Sequence, residues 1–233
     1  MFQRVKNLLK SKIGFPSVND SFKRLSILGY NPSEIIDIGA HKGHWSINIH
    51  KHYPEAKIFM FEPIEKYFNE LTTLAESIGN DSIAFNYLLS SKSDVELKFY
   101  INESVSSVLE EHYISSNIEI KNILTKSLDD IIELKTNNAL LKIDVQGHEL
   151  EVLKGAVNTL KNIECIQMEI SLIDINKNAP LIEEVLSVMK QEYGFILYDI
   201  TEMIRRPLDQ ALWQVDVIFI KMGSNILSSK KYE

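Results

Sequence analysis

IIDIGAHKGHW, residues 35–45, places an apolar strand directly before a turn that contains two glycines. Gly39 and Gly43 stand where a strand should be followed by a helix, with three residues between them. In open α/β sheets, ligands bind beside turns of this kind, at the carboxyl ends of the strands. A glycine pair alone is also compatible with a simple tight turn, so the ligand has to be inferred from the surrounding residues.

The composition is that of an ordinary soluble α/β protein. The chain has 233 residues, of which 45% are hydrophobic and 24% are charged, and its formal net charge is −7. This balance provides no general positive field that would attract nucleic acid. The single cysteine, Cys165, lies in an apolar run and predicts a buried, inert thiol in a reducing compartment. No stretch is apolar enough to span a membrane and no signal peptide is evident, so we expect a cytoplasmic protein.

The first fifteen residues form a basic segment without an acidic residue. Its apolar side chains recur at helical spacing and predict a short amphipathic helix. Such a helix either touches an anionic membrane or partner at its surface, or packs on its own domain. We therefore divide the chain into an N-terminal helical segment (1–33), a main domain (34–221) with an insertion at about 95–124, and a C-terminal tail (222–233).

Strand-like and helix-like patterns alternate along the main domain. Buried strands are predicted at EIIDIG, AKIFMFE, SIAFNYLL, ALLKID and IECIQMEI. VELKFYIN (95–102) alternates apolar and polar residues, which predicts a half-exposed strand in a hairpin-like insertion. Helices are predicted over 126–134, with Ser127 as the N-cap, and over 147–160. The alternation favours one doubly wound, mostly parallel sheet with helices on both faces.

The glycine turn lacks the pattern of a dinucleotide site. That site needs Gly-x-Gly-x-x-Gly, whereas this chain has Asp37-x-Gly39-x-x-x-Gly43. An acidic residue beside the turn would repel a phosphate but suits the ammonium group of S-adenosylmethionine, whose carboxylate backbone N–H groups can receive. Glu62, 25 residues after Asp37, ends the second strand and can accept hydrogen bonds from both ribose hydroxyls. Together these features favour a methyl donor over a dinucleotide.

At this point the sequence resembles the FkbM-type methyltransferases over roughly residues 34–221. The resemblance rests on IDIGAHKG (36–43), FMFEP (59–63), SLDD (127–130), LLKIDVQGHELEVLKGA (140–156) and QMEI (167–170). It implies a Rossmann-like class I methyltransferase sheet of seven strands with the last strand antiparallel. It also implies O-methylation of a hydroxyl, with S-adenosyl-L-methionine as donor and S-adenosyl-L-homocysteine as product. The cofactor-binding residues that it implies are Asp37, Gly39, Ala40, His41, Gly43, Glu62, Pro63 and, for the adenine, Ser90.

Two positions depart from the family pattern. Gln146 stands where the family more usually has glutamate, and His41 stands where asparagine is common. Position 146 therefore cannot supply a carboxylate base here. Asp144, which ends the central strand, is the candidate for cofactor contact and acceptor positioning, and His148 is the candidate near-neutral base. In the alternative interpretation Asp144 only shapes the turn and His148 is a solvated side chain.

No metal site is predicted. Asp144 and Glu169, at two strand ends, could share a Mg²⁺ ion, but no third ligand is evident. The histidines at 41, 44, 50 and 52 do not form a complete zinc site. Ser106 and Ser107 resemble a family pair that borders the acceptor pocket, and a polar loop turn is the alternative for them.

The function that we expect is O-methylation of a hydroxyl on a sugar, a glycan or a small metabolite. Two alternatives remain: a catalytically silent protein that binds S-adenosylmethionine, and an NAD-type oxidoreductase, which the missing third glycine disfavours. Nucleic-acid methylation is disfavoured because there is no Asn- or Asp-Pro-Pro-aromatic stretch, no Pro-Cys nucleophile and no basic face.

Overall fold

The described chain forms a seven-stranded main sheet and a smaller three-stranded sheet. The computed structural model describes residues 16–102, 106–112 and 118–227. The strands that it describes are β1 (Glu34–Ile38), β2 (Lys57–Phe61), β3 (Ile83–Phe85), β4 (Leu88–Leu89), β5 (Glu96–Ile101), β6 (Glu119–Lys126), β7 (Ala139–Ile143), β8 (Ile163–Ser171), β9 (Phe195–Arg205) and β10 (Leu212–Lys221). The α-helices are α1 (Val18–Ile27), α2 (His44–His50), α3 (Glu65–Ile78), α4 (Glu149–Lys154) and α5 (Ile182–Gln191).

The main sheet has the strand order β3-β2-β1-β7-β8-β10-β9. Neighbours from β3 to β8 are parallel, and β10 runs antiparallel to both β8 and β9. The expected seven-stranded sheet with an antiparallel last strand is therefore confirmed. The strand order reverses between β1 and β7, and a crevice for a ligand is expected at the carboxyl ends of these two strands.

Both faces of the sheet are covered, because side chains on a strand alternate between its two faces. On one face, Ile36 of β1 and Leu141 of β7 join a core that includes residues of α4 and α5. On the other face, Ile35 and Leu140 join a core that includes residues of α1, α2 and α3. Cys165 lies in this second core with no exposed surface, and burial raises the pKa of its thiol, so the predicted inert thiol is confirmed.

The insertion forms the small sheet. β5 and β6 pair antiparallel from Glu96 opposite Leu124 to Ile101 opposite Glu119, and β4 pairs parallel with β6. The predicted strand over 95–102 and its hairpin-like antiparallel pairing are thus present, but the single strand predicted over 82–89 is wrong. The chain leaves the main sheet at Asn86, whose side-chain amide donates to the Glu62 carbonyl oxygen at 2.9 Å. β3 therefore stays in the main sheet, while β4 joins the small one.

Both helices predicted around the central strand are wrong in extent. Over 126–134 the structure has only a 3-10 turn at Leu128–Asp130, and Ser127 makes no side-chain cap. Asp129 instead accepts hydrogen bonds from the backbone N–H groups of Asn158 and Thr159. The helix predicted over 147–160 spans only Glu149–Lys154, and Gly155 directly after it packs so closely on Ser90 that an added Cβ atom would lie 2.1 Å from the Ser90 carbonyl oxygen.

Two segments at the ends of the chain were assigned from sequence alone. The basic amphipathic helix predicted over 1–15 lies outside the described residues, and so does the tail after residue 227. The division into an N-terminal segment, a main domain and a tail stays a prediction. In the ranges that the structure describes, no helix is both long and apolar enough to cross a membrane.

We expect Gly39→Ala to destabilise the fold by about 3 kcal/mol or more. Gly39 has a φ of +75°, and a Cβ atom there would lie 1.9 Å from the Asp144 carbonyl oxygen. Gly29→Ala is the matched control, since Gly29 also has a positive φ (+91°) but no atom within 4 Å of the added Cβ. It should cost about 1–2 kcal/mol. Urea denaturation measures the free energy of unfolding of both variants. Equal losses of stability would contradict the close approach of the Gly39 turn to the Asp144 backbone.

Candidate active site

The glycine turn after β1 is held by the neighbouring strand β2. The backbone N–H groups of Gly39 and Ala40 both donate to the Phe61 carbonyl oxygen at 3.0 Å, and the Gly43 N–H donates to the Ala40 carbonyl at 2.8 Å. Gly43 is the N-cap of α2 and has a left-handed backbone (φ 74°). These N–H groups already have partners inside the protein. The expectation that they receive a ligand carboxylate is therefore not supported.

Glu62, directly after β2, joins the turn to the start of α3. Its Oε2 accepts from the His41 N–H and its Oε1 from the Ile64 N–H, both at 2.9 Å. The residue is 5% exposed, and burial raises the pKa of its carboxyl to about 7, although these two hydrogen bonds act in the opposite direction. Pro63 follows it at the edge of the cleft described below.

His41 occupies a backbone conformation that both asparagine and histidine adopt more readily than most residues. Its φ is +48°, in the left-handed region. The imidazole ring packs edge-on against Tyr67, with 4.0 Å between the ring centroids. His41 thus contributes both a backbone donor to Glu62 and an aromatic contact to α3.

A buried lysine lies beneath the turn. The Nζ of Lys142 donates to the Gly39 carbonyl oxygen at 2.9 Å and lies 3.1 Å from Asp37 Oδ1 and 3.4 Å from Asp144 Oδ2. Burial disfavours its charge, but the two carboxylates outweigh that effect and raise the pKa of the ammonium. Asp37 has no exposed surface, and its Oδ2 accepts from Ser46 at 2.6 Å. Asp37 therefore supports the turn from below and does not line the cleft.

Asp144 reaches the surface at the end of β7. Its side chain is 38% exposed, and its Oδ1 accepts from the amide nitrogen of Gln146 at 3.1 Å. The same amide nitrogen donates to Glu169 Oε1 at 2.7 Å. Burial, and then the charge of Asp144, raise the pKa of Glu169 well above its ordinary value. The two carboxyl groups considered above as ligands of a shared Mg²⁺ ion are instead joined through one amide.

His148 and Ser90 form a pair that the sequence did not predict. The Ser90 hydroxyl lies 2.9 Å from His148 Nε2, across 58 residues of sequence. Burial lowers the pKa of the imidazole to about 4. This lowered pKa disfavours the near-neutral imidazole that the sequence predicts, and the role of His148 as a base stays a prediction. Ser90 is buried behind it and does not line the cleft.

Most of these side chains line one cleft at the carboxyl ends of β1, β2 and β7. It is lined by Ile38, Gly39, His41, Phe61, Glu62, Pro63, Ile64, Tyr87, Leu88, Leu89, Phe99, Ser106, Val108, Asp144, Val145, Gln146 and His148. Six of the sequence-predicted site residues line it; Asp37, Ala40, Gly43 and Ser90 do not. Among its described lining residues there are two carboxylates and neither lysine nor arginine.

The small sheet supplies a wall of the cleft that sequence analysis missed. Leu88 of β4, Phe99 of β5 and Tyr87, directly before β4, line the cleft. The signal that could have found them is the interruption at Asn86, because a polar residue inside a predicted buried strand marks a change of direction. Ser106 lines the cleft, whereas Ser107 is buried and donates to the Gln146 carbonyl oxygen at 2.8 Å.

The metal alternatives receive no support from side-chain placement. Within the part of the chain that the structure describes, no group of three or more His, Cys, Asp or Glu side chains is arranged to hold a metal ion. His52 contacts Asn19 through its ring nitrogen, and His41 packs on Tyr67. His41 and His52 thus serve separate local contacts.

Comparisons with known proteins agree with this architecture. Among solved structures, a protein assigned as an rRNA methylase in Clostridium thermocellum superposes with a TM-score of 0.50 at 10% identity, covering 88% of this chain and 96% of that one. Precorrin-6y C5,15-methyltransferase of Geobacter metallireducens gives 0.47 at 12% identity, covering 88% and 86%. At 10% identity, the superposition with the Clostridium thermocellum structure shows a shared fold and nothing about the substrate.

The sequence comparisons identify the family. Hexuronic acid methyltransferase AglP of Haloferax volcanii is 32% identical over 116 residues, which are 50% of this chain and 48% of that protein. The chain thus spans about half the length of the curated relative that it matches. A family model described as the methyltransferase FkbM domain matches residues 37–197. Because that match covers more than half of the sequence, this chain belongs to the FkbM methyltransferase domain family.

Proposed function

We propose that this chain binds S-adenosylmethionine in the cleft and transfers its methyl group to a hydroxyl oxygen of a sugar, a glycan or a small metabolite. The observation that carries the proposal is the charge of the cleft. Glu62 and Asp144 are its carboxylates, and no described lining residue is a lysine or arginine. A sulfonium cation gains from this environment, whereas the pyrophosphate of a dinucleotide would lack a cationic partner.

The side chains present fit this cofactor. Each Glu62 oxygen accepts one backbone N–H, and a carboxylate oxygen has a second lone pair that can accept a ribose hydroxyl. Tyr87, Leu88 and Phe99 give the opposite wall an apolar and aromatic surface that suits an adenine ring. The bound cofactor would supply an electrophilic methyl group, and the protein would orient the acceptor.

Asp144 is the group that we assign to the acceptor hydroxyl. It lines the cleft, is the more exposed of the two carboxylates, and is oriented by Gln146 and Lys142. A positioned base contributes about 10²–10⁴-fold to such a transfer. His148 also lines the cleft, but its lowered pKa makes it a hydrogen-bonding neighbour held by Ser90 rather than the base.

A sugar hydroxyl is the acceptor class that we favour. The relative named hexuronic acid methyltransferase supports a carbohydrate acceptor for this chain. The net charge of −7 and the acidic lining of the cleft argue against a nucleic-acid acceptor, whose phosphates would be repelled. Screening labelled S-adenosylmethionine against glycans and small hydroxylated metabolites tests this assignment, and a chain that binds the donor without any transfer would be a silent binding protein.

Calorimetry should detect micromolar binding of S-adenosylmethionine and S-adenosylhomocysteine, and NAD should bind at least about a hundredfold more weakly. The difference of about 2.7 kcal/mol follows from placing a pyrophosphate in a cleft whose described lining has no cation. Tighter binding of NAD than of either methionine derivative would overturn the proposed cofactor.

Glu62→Gln should weaken binding of S-adenosylmethionine by about tenfold to a hundredfold, because the amide keeps one acceptor oxygen but loses the charge. Since the pKa of Glu62 is about 7, lowering the pH from 8 to 6 should itself cost wild-type affinity about tenfold, and the variant should lack this dependence. Glu65→Ala is the control, because Glu65 is exposed and does not line the cleft. Equal affinities in all three proteins would make Glu62 a purely structural residue.

Asp144→Asn should lower turnover by about 10²-fold or more while changing cofactor affinity much less. The substitution keeps the size of the side chain and removes the charge that would orient or deprotonate the acceptor. The measurement is methyl transfer to an acceptor found by the screen, with donor affinity determined in parallel. Turnover close to the wild-type rate would remove Asp144 from the reaction.

A further inference from the structure

Two distant segments of the chain form hydrogen bonds to the backbone of Gln146. Its backbone is left-handed, with a φ of +56°. Its carbonyl oxygen accepts from the Ser107 hydroxyl at 2.8 Å and from the Asn176 side-chain amide at 2.9 Å. The insertion and the loop after β8 therefore both hold the Gln146 backbone in place, and the side chain projects from a fixed point.

The side-chain amide of Gln146 connects two carboxyl groups. Its nitrogen lies 3.1 Å from Asp144 Oδ1 and 2.7 Å from Glu169 Oε1. An amide nitrogen carries two hydrogens, so one nitrogen can serve both acceptors at once. A glutamate at this position has no donor when ionised and would place a third negative charge between the other two.

We propose that Gln146 is a positioning residue, which keeps the Asp144 carboxylate directed into the cleft by joining it to Glu169 through its side-chain amide. The inference rests on the proposed function, in which Asp144 faces the sulfonium and the acceptor. It assigns to Gln146 a role in the reaction that acts through Asp144 and needs no contact with either ligand.

The groups around the bridge support a positioning role for Gln146. Lys142 lies 3.4 Å from Asp144 Oδ2. Glu149 of α4, Glu169 of β8 and Asp216 of β10 present carboxyl groups to the same region, and the pKa of each is raised, first by burial and also by the charge of Asp144. Asp144 has both Lys142 and Gln146 as partners, and these two contacts hold its carboxylate where it lines the cleft.

The test compares Gln146→Leu with Gln214→Leu. Gln214 donates to the same Glu169 oxygen at 2.8 Å, and no hydrogen bond joins it to Asp144. Each variant therefore removes one hydrogen bond to Glu169, but only Gln146→Leu also removes the hydrogen bond to Asp144. The readout is the ratio of the dissociation constants for S-adenosylhomocysteine and S-adenosylmethionine, because the two ligands differ in the sulfonium charge that Asp144 faces.

Gln146→Leu should lower this ratio by about threefold to tenfold, and Gln214→Leu should leave it within about twofold of wild type. A simple loss of folding stability would not change this ratio. Identical ratios in both leucine variants would overturn the inference and leave the proposed function intact, whereas failure of the wild type to bind either ligand would overturn both.

A second measurement follows the Asp144 carboxyl group directly. Carbon-13 labelling of the aspartate and glutamate carboxyl groups gives their NMR resonances, with Asp144→Asn and Glu169→Gln for assignment. The Asp144 resonance should shift in Gln146→Leu and stay in place in Gln214→Leu, because only the first variant removes a hydrogen bond to Asp144. An unchanged Asp144 resonance in Gln146→Leu would contradict the bridge.

Discussion

The buried ammonium of Lys142 is the interaction on which the arrangement of the site depends. It lies between β1 and β7, the two strands at which the order of the sheet reverses, and contacts a carboxylate on either side as well as the carbonyl of Gly39. An ammonium without partners at this depth would be strongly unfavourable, and removing one partner of a buried pair typically costs about 3–5 kcal/mol. Lys142 and its acids therefore have to be retained together, and they set the position of the turn relative to the central strand.

Glu62 fixes the turn relative to β2, as Lys142 fixes it relative to β7. Its carboxyl group accepts hydrogen bonds from the backbone N–H groups of His41 and Ile64, and burial raises the pKa of this carboxyl. The N–H groups of Gly39, Ala40, His41 and Gly43 are thus used for holding the turn in place. In the proposed function the side-chain carboxylates of the cleft recognise the ligand, and they suit a cation and a diol better than a phosphate.

The insertion completes the site from the other side of the cleft. It leaves the main sheet at Asn86, forms its own sheet, and returns with Phe99 and Ser106 at the cleft and Ser107 on the Gln146 carbonyl. A change in the position of this small sheet would therefore be transmitted to the backbone that carries Gln146 and, through its amide, to Asp144. The hydrophobic wall and the polar end of the cleft are consequently parts of one packed unit.

The sequence by itself determined the sheet, the glycine turn, and the placing of Glu62 and Asp144 at strand ends, because these follow from local periodicity and from the rule that parallel strands present their carboxyl ends at one edge. Resemblance to a family added the antiparallel last strand. Only the tertiary structure decided that Ser90 holds His148, that Gln146 joins Asp144 to Glu169, and that α4 ends at Lys154 against the backbone of Ser90. Each of these depends on contact between segments 20 or more residues apart, and local pattern carries no information about which distant groups packing will bring within hydrogen-bonding distance.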